Sequence, residues 1–238
     1  MIEKVENIEA ISRFNDICAL KIKALYKAYG TAYDFCAFYS QFSFDGEITA
    51  IIVKFYSSVT VTVLDNFDFQ ELKEFIDFIS PSQVLCTEKA AQLFCKKYTT
   101  IYGMKTEVTG ADCDIQATDF PTLQKVHSLF SQGDEDICIG DFEDWYVDVN
   151  HRLRHGAALV LFNESSAAIL ITDGKDAILN GICVEKKLRD KGEGLRMMKK
   201  VKNISGLENV FALCSQNLLP FYLKCGFCEV GKYGVIEY

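Results

Sequence analysis

The chain has 238 residues, 49% of them hydrophobic and 24% charged, with a net charge of −8 and a pI near 5.0. That is enough apolar material for an ordinary core, and the acidic balance argues against the basic face that nucleic-acid binding requires. No apolar stretch follows the charges of MIEKVENIEA, no window nears the roughly 18 unbroken apolar residues of a membrane span, and ten cysteines lie mostly within apolar runs. The expectation is a reduced cytoplasmic protein with neither nucleic-acid nor membrane partners.

In chain order, apolar positions at helical spacing (Ile8, Ile11, Phe14, Ile17, Cys18, Leu25) predict a helix over residues 6–29. Three strands are predicted between Asp34 and Leu64, dense in Val, Ile, Thr, Phe and Tyr, with a turn at Asp45-Gly46. An amphipathic helix is expected from about Asp68, then a short strand running into a helix within Gln83–Tyr98. The second half repeats this order. Two helices are expected within Phe120–Phe130 and Phe142–Gly156, the latter stopped by Gly156, and three strands between Ala157 and Val184. A Gly-containing turn leads to a helix beginning near Leu195. A strand at Asn209–Cys214, a helix at Asn217–Cys225 and a final strand pair from Cys228 to Tyr238 complete the reading. Strands and helices interleaved in both halves give a mixed α/β fold.

The two halves also match locally. LCTEKAAQLFCKKY at 85–98 and LCSQNLLPFYLKCG at 213–226 share a pattern at an offset of 128, which points to a tandem repeat of one fold. The boundary is placed near residues 105–113, giving domains over 1–110 and 111–238.

The most specific segment is ILNGICVEKKLRDKGEGLRMMKK. A strand ends at Val184, a charged loop follows, and Arg189-Asp190-Lys191-Gly192-Glu193-Gly194 opens a helix. Glycines there let the backbone turn its amides outward. Amides at a helix N-terminus form an anion site that suits a diphosphate, with Arg189 and Lys191 adding positive charge. Neither the Walker loop nor the dinucleotide G-x-G-x-x-G is present. Downstream, FALCSQNLLPFYLKCGFCEVGKYGVIEY carries a strand, a helix bearing Phe221-Tyr222, and a Gly226-Phe227 corner before a closing strand.

Together these segments resemble the GNAT superfamily of acyl-CoA N-acyltransferases, whose motifs are strand, R/Q-x-x-G-x-G/A, helix, and then a strand and helix with an aromatic-Tyr pair and a Gly-Phe corner. The resemblance covers about residues 112–238 and implies a mixed-sheet GNAT fold. It implies that Arg189, Asp190, Lys191, Gly192, Glu193 and Gly194 hold the pyrophosphate of acetyl-CoA, the co-substrate. It implies that Ile182, Cys183 and Val184 pair with the pantetheine arm, one amide polarising the thioester carbonyl. Tyr222 matches the tyrosine that protonates the leaving thiolate, a role open to a phenol with an ordinary pKa of about 10. The sequence departs from the family where many members have an Asn about seven residues before that tyrosine. Ser215 holds the spacing and Asn217 lies two residues later, so both stand as pantetheine contacts.

No metal is expected. Cys225-x-x-Cys228 lacks a second ligand pair, and His151 and His155 lack the Glu of H-E-x-x-H. The acceptor implied is a small-molecule or peptide amine, which the acidic stretch 134–144 would favour when cationic; a homodimer is compatible with the sequence. Asp173, Asp176 and Asn180 flank the central strands without one standing out as a base. The N-terminal half is expected to be a degenerate copy that binds no CoA. Phe94 stands where the second copy has Tyr222. Leu85 follows Val63 by only 22 positions, against 29 from Val184 to Leu213, and the shorter stretch has no glycine. The function expected is an N-acetyltransferase acting by direct attack of the amine, the alternative a non-catalytic acyl-CoA-binding sensor or interaction module.

Overall fold

The structure, a computed structural model, describes residues 1–94, 96–110, 117–133 and 139–238. Cys95, Cys113, Cys138 and residues 134–138 of the acidic stretch lie outside the described residues. The chain forms two compact units. Unit 1 comprises Met1–Gly103, Cys214–Leu219 and Glu229–Tyr238; unit 2 comprises Met104–Leu213 and Pro220–Cys228.

Unit 1 opens with β1 (Ile2–Lys4), a 3-10 turn over Glu9–Arg13 and α1 (Ile17–Tyr29). The single helix expected over 6–29 is therefore broken. Phe14 and Asp16 are extended, and the Asp16 carboxylate accepts from the Ala19 amide at 2.7 Å, so α1 starts there. Such a cap satisfies an amide that the helix cannot. The three β-rich segments form the antiparallel meander β2 (Cys36–Phe42), β3 (Ile48–Phe55) and β4 (Ser58–Val63). Gly46, at φ 79°, makes the first turn. In α2 (Phe69–Ile79) the Asp68 carboxylate accepts from the Glu71 amide at 3.1 Å, and Leu72 and Ile76 face the core. Next, β5 (Gln83–Thr87) returns parallel to β4 and leads into α3 (Glu88–Leu93). Ile52, Val61, Leu72, Ile76, Val84, Phe94 and Ile236 are packed in one cluster. Burying each large side chain there is worth roughly 1.5–3 kcal/mol.

Two strands differ from expectation. β6 (Tyr98–Glu107) follows α3 where no strand was expected. The end of the chain is one strand, β11 (Cys228–Glu237), antiparallel to β5, in place of the expected strand pair. Gly234 marks close packing rather than a turn: a Cβ there would lie 2.3 Å from the Ala91 Cβ. The chain's last strand thus completes the sheet of unit 1.

Unit 2 contains α4 (Phe120–Ser131), α5 (Phe142–Arg154), the antiparallel strands β7 (Ala158–Asn163), β8 (Ser166–Thr172) and β9 (Asp176–Val184), then α6 (Glu193–Val201), β10 (Asn209–Cys214) and α7 (Leu219–Lys224). β10 is parallel to β9. Leu123, Val126, Leu129 and Phe130 of α4 pack with Val160, Ala167, Ile169 and Cys183. Met197, Met198 and Val201 form the buried stripe of α6, which packs on β8 and β9. The order β2-β3-β4-α2-β5-α3 recurs as β7-β8-β9-α6-β10-α7, with the same sense at every pairing: two antiparallel, then one parallel. Among the described residues no helix is long and apolar enough to cross a membrane, and no cluster of metal-ligating side chains is present.

Candidate functional site

The site is built on β9. Its ladder with β8 slips between Ile169 and Leu170: Ile169 faces Gly181 and Leu170 faces Leu179, so Asn180 is an extra, exposed residue. A bulge of this kind bends its strand. On its other edge β9 pairs with β10 only from Asp176–Asn209 to Leu179–Ala212. Beyond the bulge, Asn180 to Val184 run on with no β10 residue in register. An unpaired strand edge offers its N–H and C=O groups to any extended partner laid beside it.

The faces of this free segment differ. Phe130 of α4 lies on Gly181, where an added Cβ would stand 2.8 Å from the ring. Cys183, on the same face, is 4% exposed, and its thiol donates to the Leu129 carbonyl at 3.4 Å. Val184 points the other way, towards α6: its Cγ2 would be 3.8 Å from a Cβ on Gly194. Ile182 shares that side by strand alternation. At the end of the segment opens a cleft of about 200 Å³ lined by Leu129, Gln132, Val184, Glu185, Lys186 and Lys187.

The loop after Val184 makes a 3-10 turn over Lys186–Leu188 and then folds back on itself. Arg189 donates from Nε to the Val184 carbonyl at 3.2 Å, and Lys191 from Nζ to the Lys187 carbonyl at 2.9 Å. These two side chains clamp the loop. Arg189 is half-buried in this arrangement, while Asp190 and Lys191 remain exposed. Asp190 (φ 60°) and Gly192 (φ 85°) take left-handed conformations, and α6 starts behind Gly192 with no side chain capping it. The first amides of a helix have no internal partner, and the helix dipole adds a partial positive charge where they emerge. Glu193 pairs with Arg196. The two glycines are needed for different reasons: Gly192 for its φ, Gly194 because a Cβ would come within 3.2 Å of the Phe221 ring.

That Phe221 contact ties α7 to the start of α6. Its neighbour Tyr222 is 6% exposed, with its ring edge-on to Phe221 at 5.5 Å and to Phe227 at 5.3 Å. Gly226, at φ 84°, forms the corner that brings Phe227 back under Tyr222, whose carbonyl accepts from the Phe227 amide at 3.1 Å. Unit 2 thus holds Ile182, Cys183, Val184, Arg189, Asp190, Lys191, Gly192, Glu193, Gly194 and Tyr222. Ser215 and Asn217 fall in unit 1, both exposed and hydrogen-bonded to each other.

Asp173 and Asp176 are committed at the other end of β9. Asp173 accepts from the Lys175 and Asp176 amides at 2.9 Å, and Asp176 accepts from the Asn209 side chain at 2.7 Å. At 3.3 Å per residue, Asp176 is roughly 26 Å along the strand from Val184. Sequence reasoning missed Leu129, Gln132 and Glu185 as cleft residues, and the bulge at Asn180. A glycine inside a strand, Gly181, was the available signal for it.

No family model matches the sequence, and no curated protein matches it. Solved structures do. A GCN5-related N-acetyltransferase from Sphaerobacter thermophilus aligns over 98% of this chain and 94% of its own at 14% identity, with a TM-score of 0.57. A tandem GNAT protein from the clavulanic acid biosynthesis pathway aligns over 100% and 98% at 7% identity, TM-score 0.58. N-myristoyltransferase from Saccharomyces cerevisiae aligns over 99% and 78% at 10% identity, TM-score 0.51. Identities this low establish likeness of fold. The bulged, splayed strand and the glycine turn stand in a chain that has the mixed α/β fold of the GNAT superfamily, in its tandem form.

Proposed function

We propose that this chain is an acyl-CoA-dependent N-acyltransferase that moves an acetyl group from acetyl-CoA to an amine, with one CoA site, in unit 2. The observation that carries the reading is β9: five residues of free strand edge lead straight into a glycine turn and an uncapped helix start. A pantetheine arm carries amides and needs a strand edge; a diphosphate carries charge and needs helix amides. The two requirements meet in one continuous stretch, 180–194.

In this reading the pyrophosphate lies on the backbone of residues 189–194, and the arm runs along Ile182, Cys183 and Val184. An amide there donates to the thioester oxygen as negative charge develops, a preorganised interaction commonly worth roughly 3–4 kcal/mol. The amine attacks the carbonyl carbon, the C–N bond forms, the C–S bond breaks, and the thiolate takes a proton from Tyr222. Glu185 is the carboxylate lining the cleft, 2.7 Å from Lys187, and is suited to hold a cationic acceptor or relay its proton.

Unit 1 repeats the fold without the site. Between β4 and α2 lie residues 64–68, against 185–192 between β9 and α6, and the Asp68 carboxylate already occupies the start of α2. An anion would meet that carboxylate. Phe94 stands buried where unit 2 has Tyr222.

The burial of Tyr222 favours one second reading, a module that binds acyl-CoA without turning it over. Thiol release from acetyl-CoA across a panel of amines separates the two. The enzyme reading expects amine-dependent thiol release; CoA binding with no release for any small-molecule or peptide amine contradicts it.

A further inference from the structure

The net charge of −8 conceals an asymmetry. Residues 186–202 contain eight basic side chains (Lys186, Lys187, Arg189, Lys191, Arg196, Lys199, Lys200, Lys202) and two acidic ones (Asp190, Glu193), a net of +6. The rest of the chain then holds 17 basic and 31 acidic residues, a net of −14. Two of the eight, Arg189 and Lys191, are clamped to loop carbonyls, while Lys187 and Arg196 pair with Glu185 and Glu193. Among the described residues Lys186, Lys199 and Lys200 form no ion pair, although the chain is rich in carboxylates.

Geometry gathers the charge. Met197, Met198 and Val201 face the sheet, so Arg196, Lys199 and Lys200 lie on the outward side of α6. Lys199 is exposed and stands about 9 Å along the axis from Glu193, at 1.5 Å per residue. It is well clear of the turn that would hold the diphosphate.

The repeat supplies an internal control. α2 is the element of unit 1 that corresponds to α6, and its stretch 65–79 has five acidic side chains (Asp65, Asp68, Glu71, Glu74, Asp77) against one basic, Lys73. The fold itself does not require a basic helix at this place. The charge belongs to the copy that has the free strand edge.

We propose that the outward face of α6 docks an acidic carrier protein that presents its acyl group as a thioester on a phosphopantetheine arm. This rests on the reading of 180–194 as a pantetheine site, since the same strand edge receives the arm. The arm brings one phosphate, and the remaining positive charge meets the acidic surface of its bearer. Transfer balances as it does from CoA: the amine nitrogen bonds to the thioester carbon, the C–S bond breaks, and the thiol stays on the arm with the proton the nitrogen gives up. Electrostatic complementarity of this kind sets encounter rate and partner choice.

The test uses the full chain with three probes: an acidic bacterial carrier protein loaded with acetyl-phosphopantetheine, the same carrier without its arm, and CoA. Binding is measured for wild type and for the Lys199→Glu/Lys200→Glu double variant, with Lys199→Ala/Lys200→Ala as a milder pair. The proposal expects the loaded carrier to bind more tightly than the bare one. It expects charge reversal to weaken the carrier roughly tenfold or more, the alanine pair less, and CoA affinity to stay unchanged. Equal losses for CoA and carrier would assign the lysines to CoA's own phosphates and overturn it. So would a carrier that does not bind. If CoA itself fails to bind wild type, the underlying site reading fails instead.

Discussion

The proposed chemistry rests on a few side chains held in unlike surroundings. Tyr222 is buried between Phe221 and Phe227, so Tyr222→Phe removes one oxygen from a packed ring and leaves its contacts in place. CoA affinity should persist while kcat falls roughly 10²–10⁴-fold, the span of general acid catalysis. Wild-type kcat in that variant would make solvent the proton donor. Glu185 is expected to act on the acceptor. Glu185→Gln should lower kcat/KM for cationic amines by roughly ten- to a hundredfold, the worth of a hydrogen bond to a charged group, and leave an uncharged aromatic amine unaffected. Equal loss for both amine classes would assign Glu185 to holding the loop. The glycine turn was readable from its residues, because few side chains tolerate what Gly192 does. The clamping of Arg189 and Lys191 was not, since it depends on loop carbonyls that only the folded turn brings within reach.

Among the elements, helix starts distinguish the two copies. α6 begins at a glycine and α2 at Asp68, and the difference was legible as a missing stretch with no glycine. The break between the 3-10 turn and α1 was not legible, because apolar spacing continues across it. What breaks it is Asp16, whose carboxylate accepts from Ala19 and, at 2.8 Å, from the Thr62 hydroxyl. Burial pushes the Asp16 carboxyl above its ordinary 3.8, outweighing those hydrogen bonds. The folded state then binds this proton more tightly than the unfolded chain. The contribution is least unfavourable below the ordinary carboxylate range and worsens as pH rises through the folded value. Asp16→Asn mimics the protonated form. Its Tm relative to wild type should accordingly be more favourable at pH 7.5 than at pH 4.5, and a difference that stays flat or shrinks would show the carboxylate to be comfortably charged. The bulge in β9 was also hidden. A strand's hydrophobic alternation survives one inserted residue, and pairing register is a property of two strands.

The whole molecule is a tandem whose repeat was visible in element order, but not in how its strands are shared out. β6 carries the Thr, Tyr and Ile of an ordinary strand, yet no strand was expected after α3. β11 is one strand where a pair was expected, and its Gly234 serves close packing against Ala91. Such contacts are non-local, and no window of sequence contains both partners. The tandem also fixes what the central claim must satisfy: one copy binds CoA and the other does not. Calorimetric titration of CoA into wild type and Gly192→Val tests that most directly, with circular dichroism to confirm the fold of the variant. A β-branched residue at φ 85° is strongly disfavoured, and left-handed backbone costs even ordinary residues about 1–2 kcal/mol, so the turn must re-form and its amides leave the anion. The account predicts one CoA per wild-type chain and at least a roughly tenfold weaker site in the variant. Two CoA per chain, or unchanged affinity in Gly192→Val, would contradict it.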